Sequence, residues 1–392
     1  MRPTKKQAMI VAGVMSGTSA DGIDVALVKI TATDRNLKIK LLAHHAMSYP
    51  AALRRGVLAA MDAKQTSTAE LARLNWRLGM AYAEAVRAAV DKYGVKIDLV
   101  GCHGQTIYHQ SKPATYAGCP VGCTWQLGEP ALIATEMRVP VVSNFRPADM
   151  AVGGQGAPLV PLLDYVMFAN AERTRVLQNL GGIGNLTVIP ASGKAADLIA
   201  FDTGPGNMVI DALMERFFQK QYDRDGGVAA RGRVLEQVVK DVLRKSYFSL
   251  RPPKSAGREQ FGAAFTAEFV GACEKAGGTP DDAVATATAV TAESIAIAYE
   301  RFVAPLSKGK AVDYIVSGGG ARNATLMKML RERLEPMACK VAVIDEIGIP
   351  SQAKEAVAFA LLAWQTWHGL AGNVPSATGA KRAVVLGEIC YG

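Results

Sequence analysis

Gly13-Val14-Met15-Ser16-Gly17-Thr18-Ser19-Ala20-Asp21-Gly22-Ile23-Asp24 lies between two apolar runs, residues 9–14 and 25–30. The segment is too short, and too rich in glycine and small hydroxyls, to be a helix, so it reads as a strand, a tight polar turn and a returning strand. Glycines let the backbone come close to a bulky anion, Thr18 and Ser19 supply hydroxyl donors, and successive amide N–H groups in such a turn form an anion-binding nest. Gly17, Thr18, Ser19, Ala20, Asp21, Gly22, Ile23 and Asp24 are therefore candidate contacts for a nucleotide phosphate. Asp21 and Asp24 would repel that phosphate unless a cation stands between them, which suggests Mg²⁺ held partly through water. An ordinary glycine-turned hairpin is the plainer alternative for this stretch alone.

Outward from this stretch, the chain is long enough, at 392 residues, for two domains with separate cores. Its 49% hydrophobic and 20% charged residues are a globular composition. The net charge of +9 suits an acidic ligand, but the basic residues are scattered. Neither a long basic block nor a nucleic-acid-binding signature is present, so a small anionic substrate with ATP is the expectation rather than nucleic acid. The six cysteines have no framework spacing, which fits a reducing cytoplasm. Cys119 and Cys123, with His103 and His109 nearby, lack the paired spacing of a structural zinc site and fall in what reads as a Gly/Pro-rich loop. Arg2, Lys5 and Lys6 before a short apolar run imitate a signal peptide, but the run flows directly into the phosphate-turn candidate. No apolar run approaches the length of a membrane span.

A third strand is expected over residues 37–47, followed by helices over 51–61 and 68–93; the second helix carries Leu71, Leu74, Leu78, Ala81, Ala85 and Ala89 at helical spacing. A short buried strand at 97–100 runs into residues 101–109, and another at 139–142 runs into 143–149. Polar groups at or beyond such strand ends are where open α/β sheets bind ligands. Gln105, His109, Gln126, Arg146 and Asp149 are the candidate substrate contacts from these segments. A glycine-rich loop at 153–158 marks the expected domain boundary.

The second half repeats the first. Residues 175–189 form a strand, a glycine turn and a strand, and a strand at 313–316 runs into the glycines at 318–320 and then a helix from residue 324. Gly181, Gly182, Asn185, Gly318, Gly319, Gly320 and Asn323 join the candidate nucleotide contacts. Two such halves imply a duplicated α/β unit with a cleft between the copies. The expected division is 1–145, completed by about 371–392, and 146–370. Asp202 follows an apolar strand and precedes a helix from residue 208; it reads either as a carboxylate projecting into that cleft or as a helix N-cap.

This architecture resembles the actin, Hsp70 and sugar kinase superfamily, an actin-like ATPase fold built from two ribonuclease-H-like units. The motifs at residues 13–24, 103–109, 145–146, 153–161, 179–185, 201–207, 252–259 and 355–360, in that order, resemble the anhydro-N-acetylmuramic acid kinases. The resemblance implies ATP- and Mg²⁺-dependent cleavage of the 1,6-anhydro bond by water with phosphorylation at O6, in peptidoglycan sugar salvage. It implies Asp202 as general base and Glu355 facing the sugar. Arg146 suits either the lactyl carboxylate or a domain contact. A homodimer is the expected assembly. Against the family pattern, Ala20 stands where leucine is usual, Asn144 where aspartate is, Asp164 where histidine is, and Ala256 where threonine is. Superfamily filament formers and chaperones share the cleft without needing the 103–109 and 146–149 segments, and a sugar-responsive regulator would need a DNA-binding segment.

Overall fold

The computed structural model describes residues 8–17, 20–32, 37–61, 63–252, 254–347 and 349–392. The strands of the described residues are β1 (Met9–Met15), β2 (Gly22–Ala32), β3 (Leu37–Ser48), β4 (Leu99–Cys102), β5 (Gln105–Tyr116), β6 (Cys119–Leu127) and β7 (Val141–Ser143). They continue with β8 (Thr174–Leu180), β9 (Ile183–Ile189), β10 (Ile199–Pro205), β11 (Val312–Ser317), β12 (Cys339–Val343) and β13 (Glu388–Cys390). The chain divides into two units, Met1–Met167 with Gln352–Gly392, and Phe168–Ser351. Among the described residues no helix is long and apolar enough to cross a membrane.

In the first unit β1 and β2 pair antiparallel from Met9↔Ile30 to Met15↔Asp24, as the apolar runs on either side of the polar turn predict. Ala20 closes that turn with its N–H on the Gly17 carbonyl at 3.1 Å and takes a left-handed φ of 54°. Thr18 and Ser19 lie outside the described residues. The sheet order is β13-β7-β4-β1-β2-β3, with β4 parallel to β1 and β7 parallel to β4. The helix Thr68–Tyr93 buries Leu74, Leu78, Ala81, Ala85 and Ala89 against this sheet, matching the expected stripe. Its ends are set locally, by the Ser67 side chain accepting the Glu70 N–H and by Gly94 in a left-handed cap.

A second helix, Lys354–Trp367, packs on β1 and β4 and is buried almost all round. Gly13 and Gly101 make that approach possible: a Cβ would stand 1.8 Å from the Ala356 carbonyl oxygen at Gly13 and 2.3 Å from that of Phe359 at Gly101. This packing returns the chain to the first unit at Gln352, ahead of the expected residue 371. The unit also runs on past 145 to Met167, because Asp149, in the helix Arg146–Ala151, is bonded to Asn373 and Thr378 near the C-terminus. The glycine-rich loop at 153–158 therefore lies inside the first unit instead of dividing two.

Residues 105–127 are a two-stranded hairpin, not a loop, and Cys119 and Cys123 sit in its second strand. Ala117 and Gly118, with φ of 47° and 82°, form its turn, the double positive φ that matches strand twist. Pro113, Pro120 and two register shifts hide this hairpin from a period-two reading.

The second unit has the sheet order β10-β9-β8-β11-β12. β8, β9 and β10 form an antiparallel meander, and β11 and β12 run parallel to β8. The first unit follows the same pattern through β3, β2, β1, β4 and β7, so the duplicated unit expected from the repeated glycine turns is present in the topology. Two apolar clusters fill the second unit, one taking in Ala283, Val284, Ala287, Ala289 and Val290 of the helix Pro280–Ala298 and the other Ala292, Ile295 and Ala298 further along it.

Candidate active site

In the first unit the polar residues gather beyond the carboxyl ends of β4 and β7. Arg146 donates from Nε to His103 Nε2 at 2.9 Å and from Nη1 to the Gly156 carbonyl at 2.7 Å. A guanidinium only donates, so His103 Nε2 is an acceptor and its Nδ1–H donates to the Gly104 carbonyl at 2.7 Å. The imidazole is thus neutral: burial, and then the Arg146 charge, hold its pKa well below the ordinary value. Burial also brings the Arg146 guanidinium down to about 10, against the opposing pull of Glu355.

Glu355 stands in the first turn of the helix Lys354–Trp367. Its side chain reaches solvent, yet desolvation by the surrounding protein raises its pKa; Arg146 and Lys354 pull it down and Asp24 pushes it up. Asp164, where the family pattern has histidine, is buried and pairs with Lys354 at 2.7 Å, anchoring the residue next to Glu355. Gln126 gives its amide N–H groups to Thr124 and Thr106, at 2.8 and 3.3 Å, while its buried Oε1 has no hydrogen-bond partner among the described residues. His109 Nδ1 lies 3.0 Å from the Thr124 hydroxyl, and burial and the Arg146 charge lower its pKa.

Several expected site residues are occupied elsewhere. Gln105 is fully buried, accepting from the Tyr49 hydroxyl at 3.3 Å and donating to the Gly17 carbonyl at 3.1 Å, so it fastens the polar turn instead of meeting a substrate. Tyr82 and Ser16 complete that buried network with a 2.6 Å bond. Asp149 is also fully buried: its oxygens accept from Gly156 N–H, Asn373 and Thr378 at 2.8, 2.7 and 2.7 Å, which makes it the pin of the 153–156 loop. Asp21 and Asp24 do not act as a pair, since Asp21 faces Arg54 at 3.4 Å and Asp24 faces His44 at 2.8 Å. Asn144 bonds to Glu388, not to Arg146, so the missing carboxylate leaves Arg146 oriented by His103.

In the second unit the Gly181–Gly182 turn joins β8 to β9. Its carbonyls accept from the N–H groups of Gly206, Asn207 and Met208 at 2.8–3.0 Å. Asn207 donates from Nδ2 to the Leu180 carbonyl at 3.0 Å. The turn at 318–320 packs on the same place: a Cβ at Gly318, whose φ is 85°, would meet Asn179 Oδ1 at 2.6 Å, and one at Gly320 would meet Asn207 Oδ1 at 2.9 Å. Asn207, missed in the sequence, is the side chain between the two glycine turns; its position directly after Gly-Pro-Gly was the available signal. Asn323 caps the helix Ala324–Leu334 by accepting the Leu326 N–H at 2.9 Å, so its oxygen is spent on that helix.

Asp202 lies within β10, opposite Asn185 of β9, which is in turn opposite Asn179 of β8 and next to the glycine turn. It does not cap the following helix, Met208–Phe218, whose first turn is preceded by Asn207. The Asp202 carboxylate accepts the Ala256 N–H at 2.7 Å, its own N–H donates to the Lys254 carbonyl at 3.0 Å, and its carbonyl accepts from the Tyr247 hydroxyl at 2.8 Å. Because Ala256 contributes a backbone group, having alanine in place of the family threonine leaves this contact intact.

Two copies of one ribonuclease-H-like unit, with glycine turns beyond the strand ends, place the chain in the class of actin-like ATPases and sugar kinases. The family model for anhydro-N-acetylmuramic acid kinase matches residues 9–392. Anhydro-N-acetylmuramic acid kinases of Bacillus cereus strains AH187 and ATCC 10987 are 42% and 43% identical to it over 386 residues, covering 98% of this chain and 99% of each relative. A solved ROK family glucokinase from Streptomyces griseus, in complex with glucose and AMPPNP, covers 91% of this chain and 98% of its own at 13% identity and a TM-score of 0.40. The chain belongs to the anhydro-N-acetylmuramic acid kinase family, phosphotransferases with an alcohol group as acceptor.

Proposed function

We propose that this kinase of anhydro-N-acetylmuramic acid opens the 1,6-anhydro ring with water and transfers the γ-phosphoryl group of ATP to O6, with Asp202 as the base. The observation that carries this reading is the setting of Asp202. Its carboxylate is tethered at one oxygen by the Ala256 N–H inside a strand, on the strand row that leads to the glycine turns, and it has no capping duty.

Asp202 takes a proton from water as the water oxygen bonds to the anomeric carbon. The bond from that carbon to the bridging oxygen breaks, and the freed O6 attacks the γ-phosphorus in line as ADP leaves. The products are N-acetylmuramic acid 6-phosphate and ADP, which serve cell-wall sugar recycling in the cytoplasm. Gly181, Gly182, Asn185, Gly318, Gly319 and Gly320 hold the nucleotide through backbone amides. Arg146 receives the lactyl carboxylate, supported by its fixed orientation on His103 and Gly156. Gln126 Oε1 accepts from a sugar hydroxyl or amide, which its lack of a partner among the described residues supports. Glu355 and His109 orient the sugar and the water.

For Mg²⁺, the described residues bring no three ligand-type side chains together, and Asp21 faces Arg54 while Asp24 faces His44, so an ion would be held mainly by phosphate and water, with Asp24 reached through water. The ion, when bound, neutralises phosphate charge. The working assembly is a homodimer. Mass spectrometry of the product formed from ATP, Mg²⁺ and anhydro-N-acetylmuramic acid in oxygen-18 water tests the chemistry. Label at C1 of a 6-phosphorylated sugar is expected, and its absence from C1 overturns the hydrolytic step.

A further inference from the structure

Lys254 sits beside Asp202 in a setting unusual for a lysine. Its ammonium lies 4.7 Å from the ring centre of Tyr247, 5.6 Å from that of Phe302 and 5.9 Å from that of Phe201, and donates to the Tyr247 carbonyl at 3.3 Å. The three rings come from separate elements. Phe201 precedes Asp202 on β10, Tyr247 belongs to the short helix Ser246–Ser249, and Phe302 belongs to the π-helical turn Tyr299–Val303. Phe201 and Phe302 meet edge to face at 5.7 Å, so the cage is itself packed. A π-turn re-aims side chains and recurs at functional sites.

The same segment holds Asp202 by its backbone. The Lys254 carbonyl accepts the Asp202 N–H, the Ala256 N–H reaches the Asp202 carboxylate, and the Tyr247 hydroxyl donates to the Asp202 carbonyl. One clamp therefore fixes the aspartate's main chain and one of its oxygens, and the clamp is seated by a cation on aromatic faces, the arrangement the ring quadrupole favours. An apolar side chain would fill the cage as well, so the packing alone does not call for a charge.

We propose that Lys254 is a positioning residue for the reaction: caged by Phe201, Tyr247 and Phe302, its ammonium seats the 254–256 clamp and keeps the Asp202 carboxylate ionised. The inference rests on Asp202 being the base. Among the described residues, the charged groups facing Lys254 are Asp202, which favours the ammonium, and Arg301, which opposes it. Tyr247 stays a neutral phenol, its pKa raised by burial and by Asp202. Burial and Arg301 bring the Lys254 pKa to about 8, so the cation is present at neutral and acid pH.

Steady-state kinetics against pH on Lys254→Met, Lys254→Gln, Lys254→Arg and Asp202→Asn test this. The two neutral variants are expected to lower kcat about tenfold, with KM for both substrates nearly unchanged, and to move the acid limb of kcat up by roughly 0.5–1 pH unit as the carboxylate loses its cation. Lys254→Arg, which keeps the charge, should hold the limb in place. Lys254→Gln keeps a donor for the Tyr247 carbonyl and serves if the methionine variant fails to fold. If Asp202→Asn loses turnover while both neutral variants leave the acid limb where it was, the role assigned to Lys254 is overturned and the base assignment stands. Near-normal turnover in Asp202→Asn overturns both.

Discussion

His103 shows how a single residue of this site is set by its partners. Arg146 forces its Nε2 to accept, and the Gly104 carbonyl takes its other proton, so the folded protein holds the ring neutral. Its folded pKa lies well below 6.5 while the unfolded chain keeps the ordinary value. Between those two values the unfolded state binds more protons, so this residue's contribution is fully present above about 6.5 and is lost as pH falls below it. The expected outcome is a smaller acid-induced fall in melting temperature for His103→Gln than for the wild type across that window, measured by calorimetry in a pH series. Parallel curves would show that the ring is not held neutral. The sequence reading placed His103 at a strand end but had no means of finding the guanidinium, which lies 43 residues further along the chain.

At the level of single elements, the helix Lys354–Trp367 depends on glycines that belong to other elements. A Cβ at Gly13 would collide with the main chain of that helix, and a backbone oxygen cannot rotate away. Gly13→Ala is therefore expected to cost about 1–3 kcal/mol, at the upper end for overpacking, and to lower the melting temperature by roughly 2–4 °C per kcal/mol. Gly271 provides the contrast, since it lies in the helix Ala263–Lys275 and a Cβ there meets nothing within 4 Å. Gly271→Ala should gain about 0.5–1 kcal/mol from helix propensity. Thermal melts of the two variants decide this, and equal melting temperatures would count against the packing argument. The sequence marked Gly13 and the 355–360 motif without showing that the glycine exists to admit a helix there. The hairpin of β5 and β6 was the converse case: its polar, proline-interrupted strands read as loop, although the turn at 117–118 fixes its pairing.

For the whole molecule, one unit is a continuous stretch of chain and the other is not. Phe168–Ser351 has its own five-stranded sheet and its own apolar clusters. Expressed as residues 168–351 it is expected to unfold cooperatively with native-like circular dichroism. Residues 1–167 alone lack the helix that covers β1 and β4 and the Asn373 and Thr378 partners of Asp149, and should not fold stably. A cooperative melt for 1–167 would contradict this. The glycine turns, the meander strands, the stripe of the helix Thr68–Tyr93 and the family itself were legible in the amino-acid sequence, because turn chemistry and side-chain period are local properties. The duties of the buried polar residues were not. Gln105, Asp149 and Asn323 have the same composition and spacing whether they face a ligand or a neighbouring backbone. Asp149 finds its side-chain partners 224 and 229 residues away. A buried polar group must be satisfied by whatever the fold brings beside it, and that neighbour exists only once the distant parts of the chain have come together.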